Sequence, residues 1–191
     1  MARKTGITTQ TAKRMALDAG AVYVNYDTES ERLIGATREG STFEVEQDVR
    51  EPEIDGARGP LKGTRRVVEE HARLTVNMLE MTAENIKLAL IGASITDDTD
   101  HEVVTRDLDM SAVEHVENIA LVADYSGSSN PIVIKIKNPL ADGNFELEMD
   151  DREEGTVEVQ FTAHFDPEDL DTSPWEIRVP KMDDDNDDPE E

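Results

Sequence analysis

Four histidines, no cysteine and 44 carboxylate side chains are the raw material for chemistry in this chain of 191 residues. His71, His101, His115 and His164 share no HxxxH or HExxH spacing, and no thiolate exists to complete a zinc site or a disulfide framework. Asp97, Asp98, Asp100 and Glu102 form an acidic knot resembling a calcium loop, but the EF-hand pattern places Gly at its sixth position, and counting from Asp98 that position is Val103. The knot therefore reads as a solvated loop, with loose cation binding in high salt as its one ionic role. Gly56, Gly59 and Gly63 lie beside a lysine, but the order Lys62-Gly63-Thr64 lacks the Gly-Lys-Thr ending and the following helix of a phosphate-binding loop. No serine or threonine sits in a nucleophile motif, and the carboxylates are too numerous to single out an acid and a base. Trp175 reads as a core anchor rather than a ligand platform. No catalytic, cofactor-binding or metal-ligating residue is assigned.

The elements that could position side chains are mostly strands, because apolar residues recur at every second position. Val22, Val24 and Tyr26 begin the series. Phe43, Val45, Gln47 and Val49 alternate with Glu44, Glu46, Asp48 and Arg50, and Ala72, Leu74, Val76 and Met78 alternate with Arg73, Thr75 and Asn77. Ile132, Ile134 and Ile136 oppose Val133, Lys135 and Lys137, while Phe145, Leu147 and Met149 oppose Glu146, Glu148 and Asp150. Val157 to Phe165 and Trp175 to Val179 complete the pattern. Asn138-Pro139, Asp142-Gly143 and Gly155 supply turns. One helix of about ten residues is predicted, with Thr82 as cap, Glu84 and Asn85 in its first turn, an apolar stripe of Ile86, Ala89 and Leu90, and Gly92 as stop. Residues 111–125 fit either period, and a strand from about Val116 is preferred. The expected fold is mainly β: an antiparallel β-sandwich or barrel with one packed helix. A basic N-terminal arm (1–17) precedes the domain (18–181), and the acidic run 182–191 is expected to be disordered.

One segment does not belong to a simple sandwich. Between two long strands lies REPEIDGARGPLKGTRR, residues 50–66, where Pro52, Gly56, Gly59, Pro60 and Gly63 prevent a helix and discourage regular pairing. A permanently solvated loop has little reason to carry Ile54 and Leu61, so docking onto a partner is the better reading.

That turn, Asp55-Gly56-Ala57-Arg58-Gly59-Pro60 continuing to Lys62-Gly63, followed by a single helix and by the ending Phe161-Thr162-Ala163-His164-Phe165-Asp166-Pro167 and Pro174-Trp175-Glu176-Ile177-Arg178, resembles the tail tube (major tail) proteins of siphoviruses over most of residues 19–179. The resemblance implies a virion structural subunit that closes homohexameric rings, stacked head to tail into a hollow tube through which viral DNA passes. The partners it implies are other copies of the chain, further tail proteins at the tube ends, and DNA that passes without specific binding; the place is the virion tail, with assembly in the host cytoplasm. It assigns the ring-stacking contact to the long loop, hence to Ile54, Asp55, Gly56, Arg58, Gly59, Leu61, Lys62, Gly63, Arg65 and Arg66. Glu44, Glu46, Asp48, Glu146, Glu148 and Asp150 are candidates for the lumen lining.

Charge constrains this picture. The 44 acidic residues face 19 basic ones, a formal net charge of −25. Eight basic residues sit in two acid-free islands, Arg3, Lys4, Lys13 and Arg14 in 1–17 and Arg58, Lys62, Arg65 and Arg66 in 56–68, which leaves 11 against 44 elsewhere. General nucleic-acid binding is excluded by repulsion, and basic islands on an acidic body suit a surface that complements another copy of itself. Lysine is scarcer than arginine, seven against twelve, and acids are spread throughout, as in proteins of salt-loving archaea. No run approaches the roughly 20 apolar residues of a membrane span, and the first twenty residues lack the apolar middle of a signal peptide. The rival class is a β-sandwich binding module such as an adhesin or carbohydrate-binding domain, which would need an exposed aromatic platform.

Overall fold

A computed structural model of the chain describes residues 6–106, 116–143, 145–149, 151–152 and 154–182. Within them the protein is mainly β, with 48% of residues in strands and 6% helical. The strands are β1 (Ala16–Val24), β2 (Arg32–Leu33), β3 (Thr37–Arg50), β4 (Arg66–Met78), β5 (Ala93–Asp97), β6 (Glu102–Arg106), β7 (Asn118–Tyr125), β8 (Ile132–Lys137), β9 (Leu140–Ala141), β10 (Leu147–Glu148), β11 (Thr156–Thr162) and β12 (Trp175–Arg178). The helix α1 (Ala83–Ala89) lies between β4 and β5.

Two antiparallel sheets pack face to face. One runs β12-β8-β7-β1-β2, and the other β10-β11-β4-β3 with β9 also pairing β11; neither closes into a barrel. Alternation dictates what fills the space between them. Val22, Val24, Ile119, Leu121 and Ile136 come from the first sheet, and Leu74, Val76, Met78, Val157, Val159 and Phe161 from the second, in one continuous buried cluster. Three register slips interrupt the sheets, the third of them in the distal part of β3. Register slips between Leu17 and Ala21 in β1, where Gly20 has φ +73°, and a Cβ there would stand 2.9 Å from Leu121 Cδ1 and Val122 O. No other residue type fits that bulge without displacing β7. A second slip, between Thr37 and Ser41 in β3, carries Glu39 and Gly40 at positive φ.

Several boundaries differ from the periodic reading. β1 begins at Ala16, inside the stretch assigned to the N-terminal arm, because Ala16 and Leu17 pair with Tyr125 and Asp124, and a 3-10 turn (Thr11–Lys13) precedes it. Phe145–Met149 yields only the two-residue edge strand β10, paired through Leu147↔Val157 and Glu148↔Thr156. β11 stops at Thr162: the Ala163 N–H still reaches Ala72 O at 2.9 Å, but the His164 N–H turns to Lys137 O at 3.2 Å; Phe165, expected on the core face, is exposed. The helix is seven residues rather than ten, capped by Thr82, whose side chain accepts from the Asn85 N–H. In the ambiguous stretch 111–125 the strand β7 occupies 118–125. Residues 107–115 with His115, Asp150, Met1 to Thr5, and 183–191 of the acidic run lie outside the described residues.

Candidate functional site

The feature that the fold builds and does not use for its own core is a projecting hairpin. β3 and β4 are 14 and 13 residues long, and only their inner halves cover the sandwich. Phe43↔Leu74 and Val45↔Ala72 are the last apolar pairs over the core. Beyond them the ribbon continues through Gln47↔Glu70 and Asp48↔Glu69 to Val49↔Val67 and Arg50↔Arg66, with a bulge that leaves Val68 without a partner residue. The alternation persists where no core lies beneath it. Val49, Ile54, Leu61, Val67 and Val68 are therefore each between 44% and 55% exposed.

The tip between the strands is held by local turns: Ala57 N–H to Ile54 O, and Thr64 N–H and hydroxyl to Leu61 O. Gly56 and Gly63 take φ +87° and +90° there, with open space around both. Arg65 pairs with Glu51 across the base of the tip at 3.1 Å. Arg58, Lys62 and Arg66 are exposed and make no ion pair among the described residues. Ile54, Asp55, Gly56, Arg58, Gly59, Leu61, Lys62, Gly63, Arg65 and Arg66 thus lie together on one arm, and Val49, Val67 and Val68 extend its apolar surface beyond the residues that composition singled out.

The root of the arm is fastened by one carboxylate. Glu70 accepts hydrogen bonds from the Gln47 amide, the Trp175 indole N–H at 2.8 Å and the Ser173 hydroxyl at 3.0 Å. The Gln47 bond, with those from Trp175 and Ser173, holds its pKa below the usual carboxylate value against the desolvation that would raise it. Trp175 also packs on Phe43, ring centroids 5.9 Å apart, and against the core. The ribbon's exit is in this way tied to the edge strand of the opposite sheet. Nothing in sequence spacing marks Glu70, since its three donors come from β3, from the approach to β12 and from β12 itself.

The outward face of the second sheet is polar. Glu44, Glu46 and Asp48 of β3 share it with Glu69, His71 and Arg73 of β4, Glu158 of β11 and Glu148 of β10, by the register of these strands. Arg73 binds Glu46 at 2.9 Å. Glu146 is exposed just before β10. The face is acidic, and four of the six candidate lining residues sit on it.

A third surface lies beside the helix. β5 and β6 form a separate two-stranded sheet that packs on α1, and an open cavity of about 560 Å³ is lined by α1, β5 and the turn between them, the end of β1 with the segment after it, Val116 and β9. Leu88, Leu90, Ile91, Ile95, Val116 and Leu140 line it, with Arg32, Glu84 and Lys87 among its polar residues. Arg32 is engaged by Asn85 Oδ1 at 2.7 Å and Glu84 at 3.4 Å. The acidic knot is the turn of this hairpin, closed by the Asp98 N–H to His101 O at 2.8 Å. Among the described residues no three His, Asp or Glu side chains converge on a point that would hold a metal ion, and no helix is long and apolar enough to cross a membrane.

The chain matches no protein-family model, and no curated protein matches it significantly in sequence.

Proposed function

We propose that this protein is a structural subunit that assembles through its β3–β4 arm into stacked rings, the tail tube of a long-tailed virus of a prokaryote. The observation that carries the reading is the arm itself: two long strands run past their own core, keep an apolar row of Val49, Val67 and Val68, and end in a basic tip bearing Ile54 and Leu61. A monomer gains nothing from such a surface, whereas burying each half-exposed side chain against a neighbour contributes on the order of 1 kcal/mol. A contact of the arm with a different surface of the next copy is heterologous, and where its rotation does not close it repeats from copy to copy as a filament. The acidic outward face of the second sheet supports a bore along which DNA slides, because it offers phosphates repulsion rather than capture.

The adhesin or carbohydrate-binding reading draws less support. Of the eight aromatic side chains only Phe165 is exposed, and a lone phenylalanine is no stacking platform.

Negative-stain microscopy of the purified protein in molar salt tests the proposal. Rings or hollow tubes are the expected outcome; dispersed monomers across all salt and protein concentrations overturn it.

A further inference from the structure

We propose that the groove lined by α1, β5 and β9 is the receptor for the arm tip of a second copy, with the acidic turn of the β5–β6 hairpin as its electrostatic guide. The inference rests on the assembly reading and names the surface that the arm meets. Among the described residues, two surfaces remain unmatched once the core is accounted for. One is the arm tip, with exposed Ile54 and Leu61 flanked by Arg58, Lys62 and Arg66. The other is the cavity of about 560 Å³, whose wall combines apolar Leu88, Leu90, Ile91, Ile95, Val116 and Leu140 with polar residues, Arg32 and Glu84, which pair with each other, and Lys87 among them. Two residues beyond Ile95 the wall gives way to Asp97, Asp98, Asp100 and Glu102, all exposed, none in an ion pair among the described residues.

The two surfaces complement each other in both chemistries. Leucine and isoleucine of the tip match an apolar wall, and an island of cations matches a turn of carboxylates. The acidic knot then needs no metal to explain its charge: it raises the local concentration of a basic partner and disfavours the acidic body of a wrongly oriented copy. None of the groove's lining residues lies in the arm, so receptor and arm tip are distinct patches of one chain, even though Leu140 of the wall belongs to β9 of the arm's own sheet. That separation is what a heterologous, repeating contact requires.

The absence of native cysteine makes an engineered disulfide unambiguous. A chain carrying both Leu61→Cys and Ser94→Cys is oxidised after assembly in molar salt, beside each single variant. The expected result is a ladder of covalent oligomers from the double variant and none from the singles. A disulfide formed within one chain overturns the proposal, since the tip would then fill its own groove. Stacked particles that give no ladder also overturn it while leaving the assembly reading intact, and a chain that stays monomeric in all conditions overturns both. A charge exchange provides the second measurement: Arg58→Glu with Lys62→Glu should abolish sedimentable particles, and adding Asp98→Lys with Asp100→Lys should return them toward the unsubstituted level. Failure of that rescue, or full assembly of the first pair alone, removes the electrostatic guide.

Discussion

Periodicity puts the buried stripe of α1 on Ile86, Ala89 and Leu90, yet the most buried side chain of the helix is Asn85, 1% exposed. Its amide donates to Ile34 O at 2.8 Å and Glu80 O at 3.0 Å, and its oxygen accepts from Arg32. One polar residue thereby ties the helix to the entry of β3 and the exit of β4, which lie side by side at the core end of the ribbon. Asn85→Ala should lower stability by about 1–3 kcal/mol, because two carbonyls lose their donor in a site water does not reach; urea unfolding measures it. Glu70 and Glu176 are tied to pH. Burial pushes the Glu176 carboxyl up, but the hydrogen bond and charge of Lys135 and the charge of Arg178 outweigh it, so both acids titrate below their ordinary value. For a carboxylate with a depressed folded pKa, the stabilisation is complete above the unfolded value of about 4.3 and is lost as pH falls through the folded one. Trp175 emission should therefore change on acidification below about pH 4, and Glu70→Gln should flatten that dependence. An identical acid profile for wild type and variant would remove Glu70 as the fastening of the arm.

At the scale of elements, the arm is the part whose length exceeds its packing. Its charges are exposed, and exposed loop charges contribute little to folding. Arg58→Glu with Lys62→Glu should leave melting and strand content within about 0.5 kcal/mol of wild type while abolishing tubes, a contrast that circular dichroism and microscopy read on one sample. Removing the apolar row by Val67→Thr with Val68→Thr should weaken stacking without lowering the monomer's unfolding midpoint, since neither side chain lies over the core. A midpoint that falls with these substitutions would mean that the row packs within its own chain.

The whole molecule is governed by its charge. A net of −25 on one small domain opposes both compaction and association of copies in dilute buffer. Salt at about 1 M shortens the screening length to roughly 3 Å and removes most repulsion between exposed carboxylates. The melting temperature should accordingly rise from dilute buffer to molar salt, and a flat profile would end the halophilic reading. In an assembled tube the inner surface should be acidic or neutral; a ring of lysines or arginines without acidic neighbours, seen by cryo-microscopy, would overturn the proposed bore.

The alternation of Phe43 to Val49, Ala72 to Met78 and Val157 to Phe161 was enough to determine the mainly antiparallel β class, and the Gly- and Pro-rich run 50–66 its one long loop, because period and turn chemistry are local properties. The residues of the hairpin tip were legible for the same reason. Strand ends were not, since Phe165 and Met149 carry the right alternation but have no partner strand to bury them. Nor could the sequence reveal that the ribbon outruns its core, because Val49 and Val67 look like any inward pair until the opposite sheet's extent is known. The β5–β6 hairpin, the groove beside α1 and the Glu70 junction all depend on segments far apart in the chain meeting in space. Only tertiary packing decides which apolar rows end in a core and which are left facing a neighbour.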